Sequence, residues 1–90
     1  MTQRFQQNPA AEIAPLGQGL MVLEPKSRKF CALNATSSLI WEKLSEPTTA
    51  EQLAEHLVEH FQGVDGSDAI QDVRATVEEM TALGIVIAVV

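Results

Sequence analysis

The sequence contains few of the cysteines that cross-link small folds and few of the aromatic residues that fill their cores. It holds a single cysteine, Cys31, so no disulfide can form within the chain. This excludes the disulfide-stapled class of small secreted domains and favours a reducing compartment, which we take to be the cytoplasm. Only 4% of the residues are aromatic, with one tryptophan and no tyrosine. At 90 residues the chain is long enough for one domain with a modest core, and it leaves little room for a deep catalytic cleft.

Basic residues and long apolar runs are also scarce. Six Lys and Arg stand against twelve Asp and Glu, which gives a formal net charge of −6. Nucleic-acid binding needs a basic surface, so we expect no nucleic-acid partner. The longest apolar run, Ile85 to Val90, is too short to span a membrane, and the polar N-terminus lacks the apolar core of a signal peptide. We therefore expect no membrane partner either.

The few basic residues are unevenly placed. Lys26, Arg28 and Lys29 lie within four positions, whereas the segment from Glu42 to Glu79 is strongly acidic. A local basic spot on an acidic body suits a short peptide partner better than a nucleic-acid duplex.

The first third of the chain is predicted to hold strands. Residues 1–10 are Gln-rich and polar, which predicts a flexible tail before a single domain at 11–90. Residues 12–16 fit a short edge strand, because proline is tolerated in a sheet only at an edge. Residues 20–23 and 28–33 fit the two strands of a hairpin around a turn at 24–27. In the returning strand, alternation places Arg28, Phe30 and Ala32 on one side and Lys29, Cys31 and Leu33 on the other.

The rest of the chain predicts three helices and a short terminal strand. Asn34 fits an N-cap for a helix at 35–44, with Leu39, Ile40 and Leu44 buried and Trp41 in the core. Thr48 with Glu51, or Thr49 with Gln52, has the spacing of a capping box for a second helix, which Gly63 and Gly66 end. Ser67 or Asp68 is expected to cap a third helix at 69–83, stopped by Gly84. The β-branched residues 85–90 predict the strand.

The segment from Leu33 to Leu44 carries a family resemblance. It reads Leu-Asn, small polar residues, Leu-Ile-Trp, and a leucine one turn later. This pattern resembles the signature of the PqqD-like family, also known as RiPP recognition elements. Residues 49–53 resemble the start of that family's second helix, and residues 72–73, 80 and 83–86 resemble its third helix and exit. The resemblance covers roughly residues 20 to 86.

The resemblance implies both a fold and a role. The fold would be α+β and winged helix-like, with a three-stranded antiparallel sheet packed on three helices and a short C-terminal strand. The role would be that of an adaptor without catalytic activity or cofactor. It would capture the leader of a ribosomally made precursor peptide and present it to a maturation enzyme, either a lasso-peptide protease or a radical SAM enzyme. The leader would add a strand along the third strand, beside the third helix. The implied leader-binding residues are Arg28, Lys29, Phe30, Cys31, Ala32, Leu33, Asp72, Val73, Thr76, Val77 and Met80.

Other interpretations of individual residues are less favoured. Cys31 fits a small strand hydrophobe better than a nucleophile. His56 and His60 have the i, i+4 spacing of metal ligands but lack an obvious third ligand, so a solvated helix face is preferred and no metal is expected. The sequence contains no catalytic constellation, which favours binding over catalysis.

Two other functions stay open at this point. A DNA-binding winged helix would need a basic recognition helix, and the third helix carries only Arg74 among several acids. A structural subunit that meets a partner protein through an exposed edge is the second alternative. Residues 85–90 then have three possible roles: pairing within the fold, forming a homodimer, or docking a partner enzyme.

Overall fold

The computed structural model describes residues 3–61, 63 and 65–89. It is an α+β fold in which three helices accompany two small antiparallel sheets. The elements in chain order are β1 Arg4–Gln7, β2 Glu12–Leu16, β3 Gly19–Glu24, β4 Lys29–Leu33, α1 Ala35–Lys43, β5 Thr48–Thr49, α2 Ala50–His60, α3 Gly66–Ala82 and β6 Val86–Val89.

The predicted three-stranded sheet is confirmed, with strand order β2-β3-β4. A two-residue turn joins β2 to β3, and Gly17 adopts a φ of 60° there, a left-handed angle that glycine adopts without strain. Gly19 begins β3 so close to β4 that an added Cβ would lie 1.7 Å from the Leu33 carbonyl oxygen. The inner face of this sheet packs on the core through Val22 and Leu33, which are 0% and 5% exposed.

The first two helices begin where the sequence predicted. The Asn34 side chain accepts a hydrogen bond from the Ser37 N–H at 2.9 Å, and the Asn34 N–H donates to Ser37 Oγ at 2.9 Å, so α1 has a full capping box. Of the two boxes considered for α2, Thr49 with Gln52 is the one that forms. The Thr48 hydroxyl instead donates to the carbonyls of Glu46 and Lys43, at 2.7 and 3.1 Å.

The predicted start of the third helix is wrong. It begins at Gly66, and its N-cap is Asp65 rather than Ser67 or Asp68. The Asp65 carboxylate accepts hydrogen bonds from the Ser67 N–H and hydroxyl at 2.8 and 2.6 Å, so Ser67 already lies in the first turn. Gly66 is therefore the first helical residue and not a helix breaker. At the other end Gly84, with a φ of 81°, stops the helix as predicted.

The prediction that residues 1–10 form a flexible tail is wrong for Arg4–Gln7. These residues form β1, the central strand of a second sheet with order β5-β1-β6. The pairing runs from Arg4 opposite Val89 to Gln7 opposite Val86. Only one of the four residues is apolar, so the segment shows no strand pattern of its own, and its partner lies at the far end of the chain. Met1 and Thr2 lie outside the described residues.

The terminal strand is confirmed at Val86–Val89 as β6, and among its three possible roles it pairs within the fold. Val90, the last residue of the predicted strand, lies outside the described residues. Both sheets and all three helices contribute to one core cluster. Its members are Val22, Leu33, Ile40, Trp41, Leu44, Ala50, Leu53, Ala54, Leu57, Ala69, Val73, Val77, Met80, Ile85 and Val86. Within the described residues, no helix combines the length and apolarity that crossing a membrane requires.

Candidate functional site

The strand β4 is the edge of its sheet, as the sequence predicted. Its register pairs Glu24 with Lys29, and each step along the strands alternates between a hydrogen-bonded and a non-hydrogen-bonded pair. If Glu24 and Lys29 were a non-hydrogen-bonded pair, the next pair along, Pro25 and Arg28, would have to exchange hydrogen bonds. Pro25 has no N–H, so this arrangement is excluded. Glu24 and Lys29 are therefore the hydrogen-bonded pair that closes the hairpin.

The other end of β4 leads to the same conclusion. The Asn34 N–H donates to Ser37 Oγ, and the Asn34 carbonyl accepts from the Ser38 N–H at 2.8 Å, so the backbone of Asn34 belongs to the helix cap and not to the sheet. Leu33 is then the last residue bonded to β3. Between these ends, the N–H and C=O groups of Phe30 and Ala32 point away from β3, toward the open edge.

The opposite edge of the sheet is less suited to strand addition. The two-residue turn closes with Leu16 opposite Gly19, so alternation directs the backbone of Pro15 outward on β2. Because proline has no N–H, it cannot donate to an added strand, and such residues protect natural edges. The β4 edge, where Phe30 and Ala32 both keep an outward N–H, is the more receptive of the two.

The two faces of β4 differ in their surroundings. Phe30 is 61% exposed and lies with Ala32 on the outer face of the sheet, away from the helices. Cys31 is half-buried and lies with Leu33 on the inner face. The predicted alternation of these residues is confirmed, but the inclusion of Arg28 in the strand is wrong. Arg28 lies in the turn with a φ of 62°, a left-handed angle that takes it out of the strand pattern.

The inner side of β4 faces one flank of α3. Burial and the negative charge of Glu79 both raise the pKa of the Cys31 thiol, so Glu79 lies near this strand. At 100° per residue, Asp72 and Thr76 project from the same flank of the helix as Glu79. The structure thus places Glu79 near Cys31, and the predicted residues Thr76 and Asp72 lie about one and two turns earlier on the same flank of α3. The i, i+4, i+7 spacing of Asp72, Thr76 and Glu79 is the signal that would have found Glu79.

The other predicted α3 residues lie deeper. Val73, Val77 and Met80 are 0%, 2% and 1% exposed, so they belong to the core on which the sheet and helices pack. Their burial leaves them little surface for direct contact with a bound peptide.

The turn before β4 forms the basic end of the site. Lys26, Arg28 and Lys29 are all exposed. The turn is held by the Glu24 carboxylate, which accepts hydrogen bonds from the Ser27 N–H at 2.6 Å and from its hydroxyl at 3.0 Å. The hydrogen bond from the Ser27 backbone N–H is the main cause of a lowered pKa of Glu24, and the bond from the Ser27 hydroxyl lowers this pKa further. The carboxylate therefore fixes the geometry of the basic turn relative to the strand.

No metal site is apparent in the described part of the chain, where no group of three or more His, Cys, Asp or Glu residues could hold an ion. A cavity of about 610 Å³ lies elsewhere, between β1, α2 and α3. The β4 edge is thus a shallow open rim rather than a deep pocket, which suits an extended chain better than a small molecule.

Comparison with known families matches residues 19–86 to the model described as coenzyme PQQ synthesis protein D (PqqD). The chain belongs to the PqqD family. No curated protein matched this PqqD-family chain in sequence.

Two solved structures resemble this PqqD-family chain in fold. One is lasso peptide synthetase B1 complexed with the leader peptide, with 25% identity, a TM-score of 0.78, and coverage of 92% of this chain and 96% of that one. The other is TbiB1 in complex with the TbiA(beta) leader peptide, with 18% identity, a TM-score of 0.79, and coverage of 90% and 93%. The resemblance to the PqqD-like family expected from the sequence is therefore confirmed.

Proposed function

We propose that this chain is an adaptor that binds the leader of a ribosomally made precursor peptide by adding the leader as a strand to β4. The observation that carries the proposal is the open β4 edge, where Phe30 and Ala32 keep outward N–H and C=O groups. The proposal is supported by the family, and by two structures of the same fold that were solved as leader-peptide complexes.

In the proposed complex, alternate leader residues have different surroundings. A leader strand hydrogen-bonds to β4 at Phe30 and Ala32, and the side chains opposite them lie on the outer face beside the exposed phenyl ring. The side chains between them point inward, between Cys31 and the α3 flank formed by Asp72, Thr76 and Glu79. The exposed Lys29 and Arg28 lie at the turn end, where they attract an acidic leader residue.

The role we propose is capture and presentation, with the chemistry left to a partner. The partner is a maturation enzyme, a lasso-peptide protease or a radical SAM enzyme, and the setting is the cytoplasm. The two leader-bound relatives include a lasso peptide synthetase B1, which favours the protease. A homodimer is also compatible with the role.

The test is a calorimetric titration of the chain with a synthetic leader, taken from a short open reading frame next to its gene. We expect a dissociation constant in the micromolar range or tighter, which corresponds to about 8 kcal/mol or more. An Ala32→Pro variant removes an outward N–H without removing a bond to β3, so it should bind the leader at least about fivefold more weakly. Far-UV circular dichroism checks that the variant is folded.

Two further variants make the result specific to the edge. Ala32→Ser keeps the N–H and should bind like the wild type. Cys31→Pro removes a hydrogen bond to β3 and should lower stability instead, because the Cys31 N–H points into the sheet. Wild-type affinity in a folded Ala32→Pro variant would contradict strand addition at this edge.

Binding to DNA is not supported by the structure. The one basic residue of α3, Arg74, donates a hydrogen bond to Glu51 at 3.1 Å, and acidic residues line both flanks of the helix. A recognition helix needs free basic or polar side chains directed at the groove of the duplex, and α3 carries a negative surface.

A further inference from the structure

A long groove runs between α2 and α3, on the flank of α3 that faces away from β4. The cavity of about 610 Å³ lies at its Phe5 end, and a second cavity of about 360 Å³ lies at its Val58 end. Glu51 lines both cavities and accepts a hydrogen bond from Arg74 Nη2 at 3.1 Å across the groove. The Glu51–Arg74 pair therefore lies between the two cavities.

The floor of this α2–α3 groove is apolar. Ala50 and Ala54 lie one turn apart on α2, and their small side chains leave room for another chain to approach. Val58 follows one turn later and is 42% exposed, and Ile70 of α3 lies across from it. Ala50 and Ala54 are themselves buried, so the apolar surface open to water is centred on Val58 and the half-buried Ile70. An exposed apolar surface of this kind marks an interaction site.

The rim of the groove is acidic. Glu51, Glu55 and Glu59 lie one turn apart along α2, an i, i+4 spacing at which like charges disfavour the helix. Arg74 pairs with the first of them, and in the described part of the chain neither of the other two has a salt bridge. The groove thus combines an apolar floor with uncompensated negative charge.

We infer that the α2–α3 groove binds a basic amphipathic helix of a partner protein. Apolar residues of that helix pack on Ala54, Val58 and Ile70, and lysines or arginines one turn apart meet Glu55 and Glu59. This is the helix-in-groove form of recognition, with charge complementarity on the rim. The inference does not depend on leader binding at β4, because the two surfaces lie on opposite flanks of α3.

A second copy of the chain does not fit this groove. The only lysine or arginine residues of the three helices are Lys43 and Arg74, and α2 and α3 are acidic along their exposed faces. Two acidic helices would repel each other across the groove. The occupant is therefore a helix of the opposite charge.

The probe is a synthetic amphipathic peptide of about four turns, with leucine and alanine on one face and lysine on both flanks. Titrated into the isotope-labelled chain, it should shift the NMR signals of Ala54, Val58 and Ile70, whereas a peptide with glutamate in place of lysine should not. Absence of shifts at millimolar peptide, equal shifts with the acidic peptide, or shifts confined to the β4 edge would each overturn the inference.

Charge reversal then tests the rim. The double variant Glu55→Lys and Glu59→Lys should weaken peptide binding at least about tenfold at low salt, because each exposed pair changes from attraction to repulsion. The matched control is Glu12→Lys with Glu42→Lys, which changes the net charge equally at exposed positions outside the groove. Equal weakening by both double variants would show nonspecific attraction and would overturn the inference.

Two measurements on the same samples separate this inference from the proposed function. The leader should bind the groove variants as it binds the wild type, so loss of leader binding and loss of helix binding are independent results. Sedimentation of the free chain tests self-association. A dimer that the Glu55 and Glu59 reversals dissociate would assign the groove to a second copy and contradict the partner-helix inference.

Discussion

At the scale of the single residue, Trp41 is the largest side chain in the core. It is the only tryptophan and is 3% exposed, within the same cluster as Ile40 and Leu44. We expect Trp41→Ala to lower the free energy of unfolding by about 3–5 kcal/mol, because it removes the buried ring and leaves a cavity. Urea denaturation followed by far-UV circular dichroism measures the loss. Glu42→Ala, at the exposed neighbouring position, is the control, and a loss below about 1 kcal/mol for Trp41→Ala would show that the ring is not a core element.

Glu24 makes the free energy of unfolding depend on pH, with a loss of stability in acid. Its hydrogen bonds from Ser27 lower its pKa in the folded chain below the ordinary value of 4.5. The stabilisation is therefore complete above the pKa of the unfolded chain and is lost as the pH falls through the lower, folded pKa. Between pH 6 and pH 3 the wild type should lose more stability than Glu24→Gln does.

The measurement is the urea midpoint of both proteins at several pH values. Asp65 and Glu51 also have lowered pKa values, but both proteins keep them, so their effect cancels in the difference. Glu12→Gln, at an exposed carboxylate, serves as the control and should follow the wild type. Parallel pH profiles for wild type and Glu24→Gln would contradict a stabilising role for the Ser27 hydrogen bonds.

At the scale of elements, β1 joins the two ends of the chain. Its Gln7 N–H donates to the Leu44 carbonyl and its neighbour Asn8 N–H donates to the Ile85 carbonyl, so alternation directs the Gln6 N–H to Ile87 of β6. Gln6→Pro removes this donor from the central strand and should cost at least about 1 kcal/mol more than Gln6→Ala, which keeps it. Thermal unfolding of the two variants gives the comparison, and equal stability would mean that β1 does not pair with β6 in solution.

The elements that the sequence predicts correctly are those whose signals are local. Asn34 is a preferred N-cap residue before an apolar helical pattern, and Thr49 with Gln52 has the spacing of a capping box. The missing N–H of Pro15 favours an edge strand. The strand β1 has no such signal, because its pairing with β6 joins residues 79 to 85 positions apart. The cap of α3 was missed for a related reason: the sequence analysis considered Ser67 and Asp68, and only the structure shows that the carboxylate of the nearby Asp65 accepts the hydrogen bond from the Ser67 N–H.

The candidate site was predictable to the same extent. The edge position of β4 follows from the hairpin order, and the alternation of Phe30, Cys31 and Ala32 follows from the strand period. Which of these residues has an outward N–H depends on the register of β4 with β3, and only the structure shows that register. The flank of α3 that faces β4 depends on how the helix is rotated, so Glu79 joined the site only when the packing was known.

At the scale of the whole molecule, one core connects both sheets and all three helices. Val22 of β3, Val73 of α3 and Val86 of β6 belong to the same buried cluster, and Phe5 of β1 packs against it. No element has a core of its own, so the described residues should unfold together as one cooperative unit. The fluorescence of Trp41 and the far-UV circular dichroism signal should therefore give the same urea midpoint.

Leader binding at β4 should raise both midpoints by the same amount, because a ligand that binds only the folded chain stabilises the whole cooperative unit. At a leader concentration of about 100 times the dissociation constant, the gain is about 2.7 kcal/mol. The same leader concentration should raise the midpoints of Ala32→Pro by less, since its affinity is lower. Two separate midpoints, or a leader that shifts one signal and leaves the other unchanged, would show that β4 and the rest of the molecule unfold independently, and the edge would then be a local feature rather than part of one folded unit.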